Sequence, residues 1–324
     1  MQRRTFQLGL AGAALLQARL AAAQDAWPSK PIKMILSQPA GSGPDNVARL
    51  LGDGLGHALG QPLVIDNKPG GQNLIGAQSA ARAPADGYTL YFATTAALVT
   101  NSYLFKTLPY DPLKDFVPVA FVANSPFAVL VRADSNIASL PDLVAQSQRD
   151  PGKLSIANEG PRTFGGMIAR LINARAKAQA NLVSYSSVGV ALQDIIGGHA
   201  QAVVADLASS SQLAKQGRLR VLAVTSSKRV PGWEQVPTAA EYLPGVEMTG
   251  WMAVVAPTGT AATTVTRLNA EINRLLALPA NAEKILAVGP IPSPGGSPKD
   301  FEAFLLEEHK RLAQIVGEIG LLPE

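Results

Sequence analysis

Small, flexible and polar residues gather where predicted strands end, and their types suit the capture of an anion. The clearest group, Ala40-Gly41-Ser42-Gly43-Pro44-Asp45, separates an apolar run (Ile32, Met34, Ile35, Leu36) from a helical repeat of Val47, Leu50, Leu51, Leu55 and Leu59. Gly41 and Gly43 allow a tight turn without a Cβ penalty. Pro44 suits a first helical turn, whose free N–H groups and dipole face back toward the loop. The same pattern also fits an ordinary strand-to-helix turn with no ligand.

Further groups recur at later predicted strand ends: Thr94-Thr95, Asn158-Glu159-Gly160-Pro161-Arg162-Thr163, Ser184-Tyr185-Ser186-Ser187 and Asp206. Each hydroxyl taken singly reads as well as a helix cap. Converging on one cleft, the groups would hold a small polar anion by hydrogen bonds.

Signatures of catalysis do not accompany them. His57, His199 and His309 show no HExxH or other metal spacing and read as solvated helix-face or turn residues. GxSxG, SxxK and GxxxxGK[ST] do not occur, and Gly52, Gly54 and Gly56 fall within a helical pattern. With no cysteine in the chain, disulfides, thiolate metal sites and cysteine nucleophiles are excluded. The expectation is a binding protein, not an enzyme, with no metal and no cofactor.

The elements that must position these loops follow from pattern and length. At 324 residues, with 47% apolar and 16% charged, the chain is globular and long enough for two domains. Strands near 62–66 and 88–93 alternate with helices, which argues for an α/β parallel sheet with ligands at the carboxyl ends of its strands. Two apolar runs, 116–123 and 127–133, are separated by Asn124-Ser125-Pro126 and read as the first crossing between domains; 220–225 reads as a strand crossing back. The expected division is 27–123 plus 226–324 as domain 1 and 124–225 as domain 2, with a cleft between them.

Residues 1–23 read as an export signal: Arg3 and Arg4, an apolar run over 8–16, then Ala21-Ala22-Ala23 as a cleavage site. MQRRTFQLGL also resembles a twin-arginine signal. Loss of Arg3, Arg4 and Arg19 lowers the formal net charge from +4 to +1 and leaves no electrostatic footprint for nucleic acid. No later hydrophobic stretch reaches about 18 residues, so no membrane span is expected in the mature chain.

Four stretches, taken together and in order, carry a resemblance. They are WPSKPIKMILSQPAGSGPDNVAR from Trp27, QPLVIDNKPGG with ARAPADGYTL up to Leu90, LPYDPLKDFVPVAFVA from Leu108, and VSYSSVGVALQDIIGG through LAVTSSKR, VPTAAE and GWMAVVAPTGT. Over nearly all of residues 27–321 the chain resembles the extracytoplasmic solute receptors of the tripartite tricarboxylate transporter family, the Bug receptors. The resemblance implies a two-domain α/β periplasmic-binding-protein (flytrap) fold with mixed, mainly parallel sheets and a ligand cleft between domains. It also implies that the loops at 40–45 and 158–163 clasp a carboxylate, partly through bridging waters.

On that basis the ligand-binding candidates are Gly41, Ser42, Gly43, Asp45, Asn158, Glu159, Gly160, Arg162 and Thr163, with Thr94, Thr95, Tyr185 and Asp206 as a second tier. The expected function is capture of a small organic anion and its delivery, by a monomer, to the membrane permease of a tripartite tricarboxylate transporter. The setting is the periplasm, after cleavage near Ala23. The alternative is a periplasmic sensory protein that presents a bound metabolite to a signalling partner.

Departures from the family pattern bear on the ligand. Family loops commonly read PGGGTD, whereas Pro44 here removes a hydroxyl and an N–H. Tyr185-Ser186-Ser187 stands where tyrosine-lysine-glycine is common, and NEGPRTFGGM replaces a small, hydroxyl-rich run. Arg162 reads either as a bidentate clamp on a distal carboxylate or as a rim partner of Glu159. Glu159 reads alternatively as a receiver of a ligand amine or hydroxyl. Asp45 and Asp206 would repel an anion on contact, so they are expected to orient waters, cap loops or receive a hydroxyl.

Overall fold

Ile32, Met34, Ile35 and Leu36 are all buried, so strand β1 (Ile32–Leu36) needs cover on both faces. In the computed structural model, which describes residues 27–324, helix α1 (Gly43–Leu59) covers one face with Val47, Leu51, Leu55 and Leu59. Strand β2 (Leu63–Asn67) follows, and Ala77 and Ala80 of α2 (Leu74–Ala81) join Ile35 in the core on the other face. Together with β3 (Thr89–Thr94), β2 pairs parallel with β1. A helical turn over Ala96–Thr100 and the short α3 (Asn101–Leu104) complete this part. The export signal expected at 1–23 lies outside the described residues.

β4 (Phe116–Arg132) is a single 17-residue strand. It is followed by α4 (Leu140–Arg149), β5 (Ser155–Asn158), α5 (Phe164–Ala176), β6 (Asn181–Ser184), α6 (Val188–Gly197), β7 (Ala202–Asp206), α7 (Leu207–Lys215) and β8 (Leu219–Val224). The chain returns through β9 (Thr249–Pro257), α8 (Ala262–Leu276), α9 (Pro279–Ala287), the two-residue β10 (Ile291–Pro292) and the long α10 (Pro298–Glu318). Asn124-Ser125-Pro126, read from sequence as a break between two runs, stays extended. The reason is that these residues pair with Trp251, Gly250 and Thr249 of β9.

The strand order is β2-β1-β3-β9-β4-β7-β5-β6, with β8 and β10 also paired to β4. Within the outer trios the strands are parallel, and the strands that join the trios are antiparallel. That topology has one consequence for function. β3 runs in the same direction as β4 and β7 runs against it, so the carboxyl ends of β1–β3 point toward those of β5–β7 across the junction. Ligands of open α/β sheets bind outside such ends.

α10 closes the back of the molecule. Trp251, buried in β9, packs against Phe121, Phe301 and Phe304 with ring centroids 5.6–6.0 Å apart. Its Nε1–H donates to Glu308 (3.2 Å), which Arg311 holds at 2.7 Å. His57 and His199 are exposed, as read from sequence, but His309 is not a solvated face residue. Its ring is half-buried with Nε2 2.8 Å from the Leu98 carbonyl, and burial lowers its pKa. Among the described residues no helix is long and apolar enough to cross a membrane, and no cluster of His, Asp and Glu could hold a metal.

Replacing Glu308 by Ala leaves the indole N–H without its acceptor inside the core. The expected loss is about 2 kcal/mol of stability, measured as a lower urea midpoint; an unchanged midpoint would show that the bond contributes nothing.

Candidate functional site

The opposed strand ends bring the candidate loops together, and most of their side chains are used in building those loops. Ser42 caps α1: its Oγ–H donates to Pro39 O (2.8 Å) and its Oγ accepts from the Asp45 N–H (3.4 Å). Asp45 is buried and accepts from the Gly41 N–H, Arg49 Nε and Asn67 Nδ2, each at 2.8 Å. Burial alone would raise its pKa, but the bonds from Arg49, Asn67 and Gly41 outweigh burial and hold it below the usual carboxylate range. Gly41 sits at φ +82°, a left-handed conformation that disfavours any side chain. The N–H of Gly43, at the first position of α1, has no acceptor among the described residues.

The second loop is built in the same way from neutral groups. Asn158 Oδ1 accepts from the Gly160 N–H (2.9 Å), and Thr163 donates to Gly160 O (2.9 Å) while capping the Gly166 N–H (3.1 Å). A Cβ on Gly166 would overlap the Gly160 carbonyl, so only glycine lets the loop fold onto α5. The sequence reading of Arg162 as a rim partner of Glu159 does not hold. Its guanidinium donates to Leu104 O and Leu322 O, both at 2.6 Å, and meets Glu324 at 2.9 Å; the side chain is 15% exposed and does not pair with Glu159. Two carbonyls and a carboxylate engage both terminal nitrogens of the guanidinium.

Second-tier residues are also engaged. Thr95 Oγ1 accepts the Trp251 N–H at 2.8 Å and locks β3 to β9, while Thr94 Oγ1 lies 3.4 Å from Gln38 Nε2. Tyr185 donates its hydroxyl to Asp194 of α6. Asp206 caps α7 by accepting from the Ser209 N–H and hydroxyl at 2.8 Å each, and burial raises its pKa. Glu159 differs from all of these. It is half-buried, has no hydrogen-bond partner among the described residues, and burial, followed by the charge of Asp206, raises its pKa to about 7.

Two amides that sequence reasoning did not single out belong to this region. Asn67 joins Asp45 to the Gln38 carbonyl (3.0 Å), and Gln38 donates to Asn73 Oδ1 at 2.7 Å while its Oε1 is buried without a partner. The glycine- and amide-rich run at 67–73 was the available signal.

The two sets of strand ends meet closely. A methyl on Gly43 would lie 3.4 Å from Ala208 Cβ in the first turn of α7, and one on Gly289 (φ +100°) would lie 2.6 Å from the Ala208 backbone. Side-chain-free backbone on one side therefore receives α7 from the other. A surface depression of about 640 Å³ between Ser102, Lys106, Asp111 and His309 includes none of these loops. Chemically, the junction offers the unclaimed N–H groups of helix N-termini, which suit a carboxylate, and one unsatisfied acid.

The family profile described as the tripartite tricarboxylate transporter family receptor matches residues 47–321. The chain belongs to that family. Its members are periplasmic solute-binding receptors. Similar to this receptor are a UPF0065 protein of Bordetella bronchiseptica, 37% identical over 94% of this chain and 90% of its own, and two solved structures. One is R. palustris Rpa4515 with adipate (31% identity, TM-score 0.83, covering 92% of this chain and 100% of that one). The other is MatC from Rhodopseudomonas palustris with bound malate (27% identity, TM-score 0.77, 90% and 100%). The fold of this receptor is that of periplasmic binding proteins.

Gly166→Ala forces the second loop off α5, with an expected cost of about 1–3 kcal/mol and loss of ligand-induced stabilisation in a thermal melt; a variant that still responds to ligand like the wild type would contradict this role. For Glu159 the folded pKa is raised above the ordinary 4.5 to about 7. Its contribution to stability is therefore complete below the unfolded value and is lost as pH rises through about 7. The melting temperature of Glu159→Gln should gain on the wild type between pH 5 and pH 8, and a pH-independent difference would refute the assignment.

Proposed function

We propose that this receptor captures a small organic carboxylate between two lobes and delivers it to the membrane permease of a tripartite tricarboxylate transporter, without chemical change. The lobes in this reading are residues 27–123 plus 226–324 and residues 124–225, joined by β4 and by the return into β9. The protein is exported, cleaved near Ala23 and acts as a monomer in the periplasm.

One observation carries the reading: the Gly43 N–H of α1 and the Phe164 and Gly165 N–H groups of α5 have no acceptor among the described residues and lie at strand ends that point toward each other. A carboxylate accepts several such bonds at once, and the aligned helix dipoles favour its charge. Contact of Gly43 and Gly289 with α7 supports a closed arrangement in which water is excluded and those bonds strengthen. The adipate and malate bound by the two solved relatives support a small carboxylic acid as the solute.

Mature protein, unfolded and refolded to release carried-over ligand, should be stabilised in a thermal-shift screen of organic acids. At 100 times its dissociation constant a true ligand adds about 2.7 kcal/mol. Stabilisation by sugars or cationic solutes, with none by carboxylates, would overturn the proposal.

A further inference from the structure

Glu159 is the acid at the junction whose hydrogen bonds are unmet among the described residues. The cations that could answer it are engaged elsewhere. Arg162 is held by Leu104 O, Leu322 O and Glu324, Arg49 by Asp45 and Asn67, and Lys68 by Asp66 and Ser79. Asp206, whose charge acts on Glu159, has its two carboxylate oxygens turned to Ser209. At the end of β1, on the other side of the junction, Gln38 Oε1 is buried without a donor. A half-buried acid beside another acid, with no hydrogen-bond partner among the described residues, is open to a donor carried by a ligand.

That acid sits beside loops suited to a carboxylate, and the two together define a solute. We propose that Glu159, backed by Asp206, is the specificity-determining residue of the cleft and takes a hydrogen-bond donor of the ligand, so that the preferred solute is an organic acid carrying an ammonium or hydroxyl group and not a plain diacid. The proposal rests on the receptor reading above. The solute's carboxylate meets the N–H groups of the helix N-termini, and its donor meets Glu159. An ammonium is favoured over a hydroxyl because it also neutralises the charge that Glu159 and Asp206 place side by side. A plain diacid would set a further negative charge against them.

Titration calorimetry at pH 8, where Glu159 is ionised, tests this with matched probes: succinate, malate and aspartate; propanoate, lactate and alanine; adipate and 2-aminoadipate. In the series that binds, the amino acid should bind at least about tenfold tighter than the plain acid, with the hydroxy acid between them. In Glu159→Gln that ratio should fall to about threefold or less, because the amino acid loses affinity and the plain diacid, relieved of repulsion, gains it. Glu159 makes no hydrogen bond that Gln would break, and equal melting temperatures of the two proteins at pH 5 confirm that the variant folds. Plain diacids binding as tightly as their amino counterparts, or a preference that survives Glu159→Gln, would overturn the inference and leave the carboxylate receptor standing. Binding of no acid in any series would remove both.

Discussion

The carboxylate of Asp45 draws three donors to itself: the Gly41 N–H, the Arg49 guanidinium and the Asn67 amide. An ion buried without such partners would be costly, and with them it becomes a rigid hub. The hub fixes the turn at Gly41, sets Ser42 as the cap of α1, and presents Gly43 toward Ala208. Asn158 and Thr163 perform the equivalent closure of the second loop around Gly160. Side chains shape the loops, and in the proposed function the backbone N–H groups meet the ligand. Because those groups are already held in place, binding requires little ordering.

The long strand β4 carries this arrangement across the molecule. Paired with β9 over its first part and with β7 and β8 over its last, it sets the two parallel trios end to end. Arg162 adds a strap from the second loop to the Leu104 and Leu322 carbonyls. The bond to Leu104 is partly covered and matters more than the ion pair with Glu324, whose carboxylate is 79% exposed. The strap ties the second loop to the Leu104 and Leu322 backbone.

Local pattern made much of this legible. The apolar run of β1, the stripe of α1 and Pro44 in the first turn all follow from spacing and composition. Extended backbone through Asn124-Ser125-Pro126 was not legible, because it depends on β9 lying alongside from more than a hundred residues away. The pairing of Arg162 with Glu159 fails for the same reason: the partners of Arg162 at 104, 322 and 324 are distant in sequence, and sequence alone offers only the nearby Glu159. His309 was taken as solvated because a helix-face position does not reveal what packs over it. For the hydroxyls and amides, the capping role and the ligand role use identical residue types, so composition alone could not separate them.

The central claim is that backbone N–H groups, not a guanidinium, receive the ligand's carboxylate. A high-resolution structure of the mature protein with a bound acid tests it most directly. The account predicts a carboxylate on the N–H groups at the first turns of α1 and α5, directly or through one water, with Arg162 still held by Leu104, Leu322 and Glu324. An Arg162 guanidinium released from those partners and paired bidentately with the ligand would contradict it.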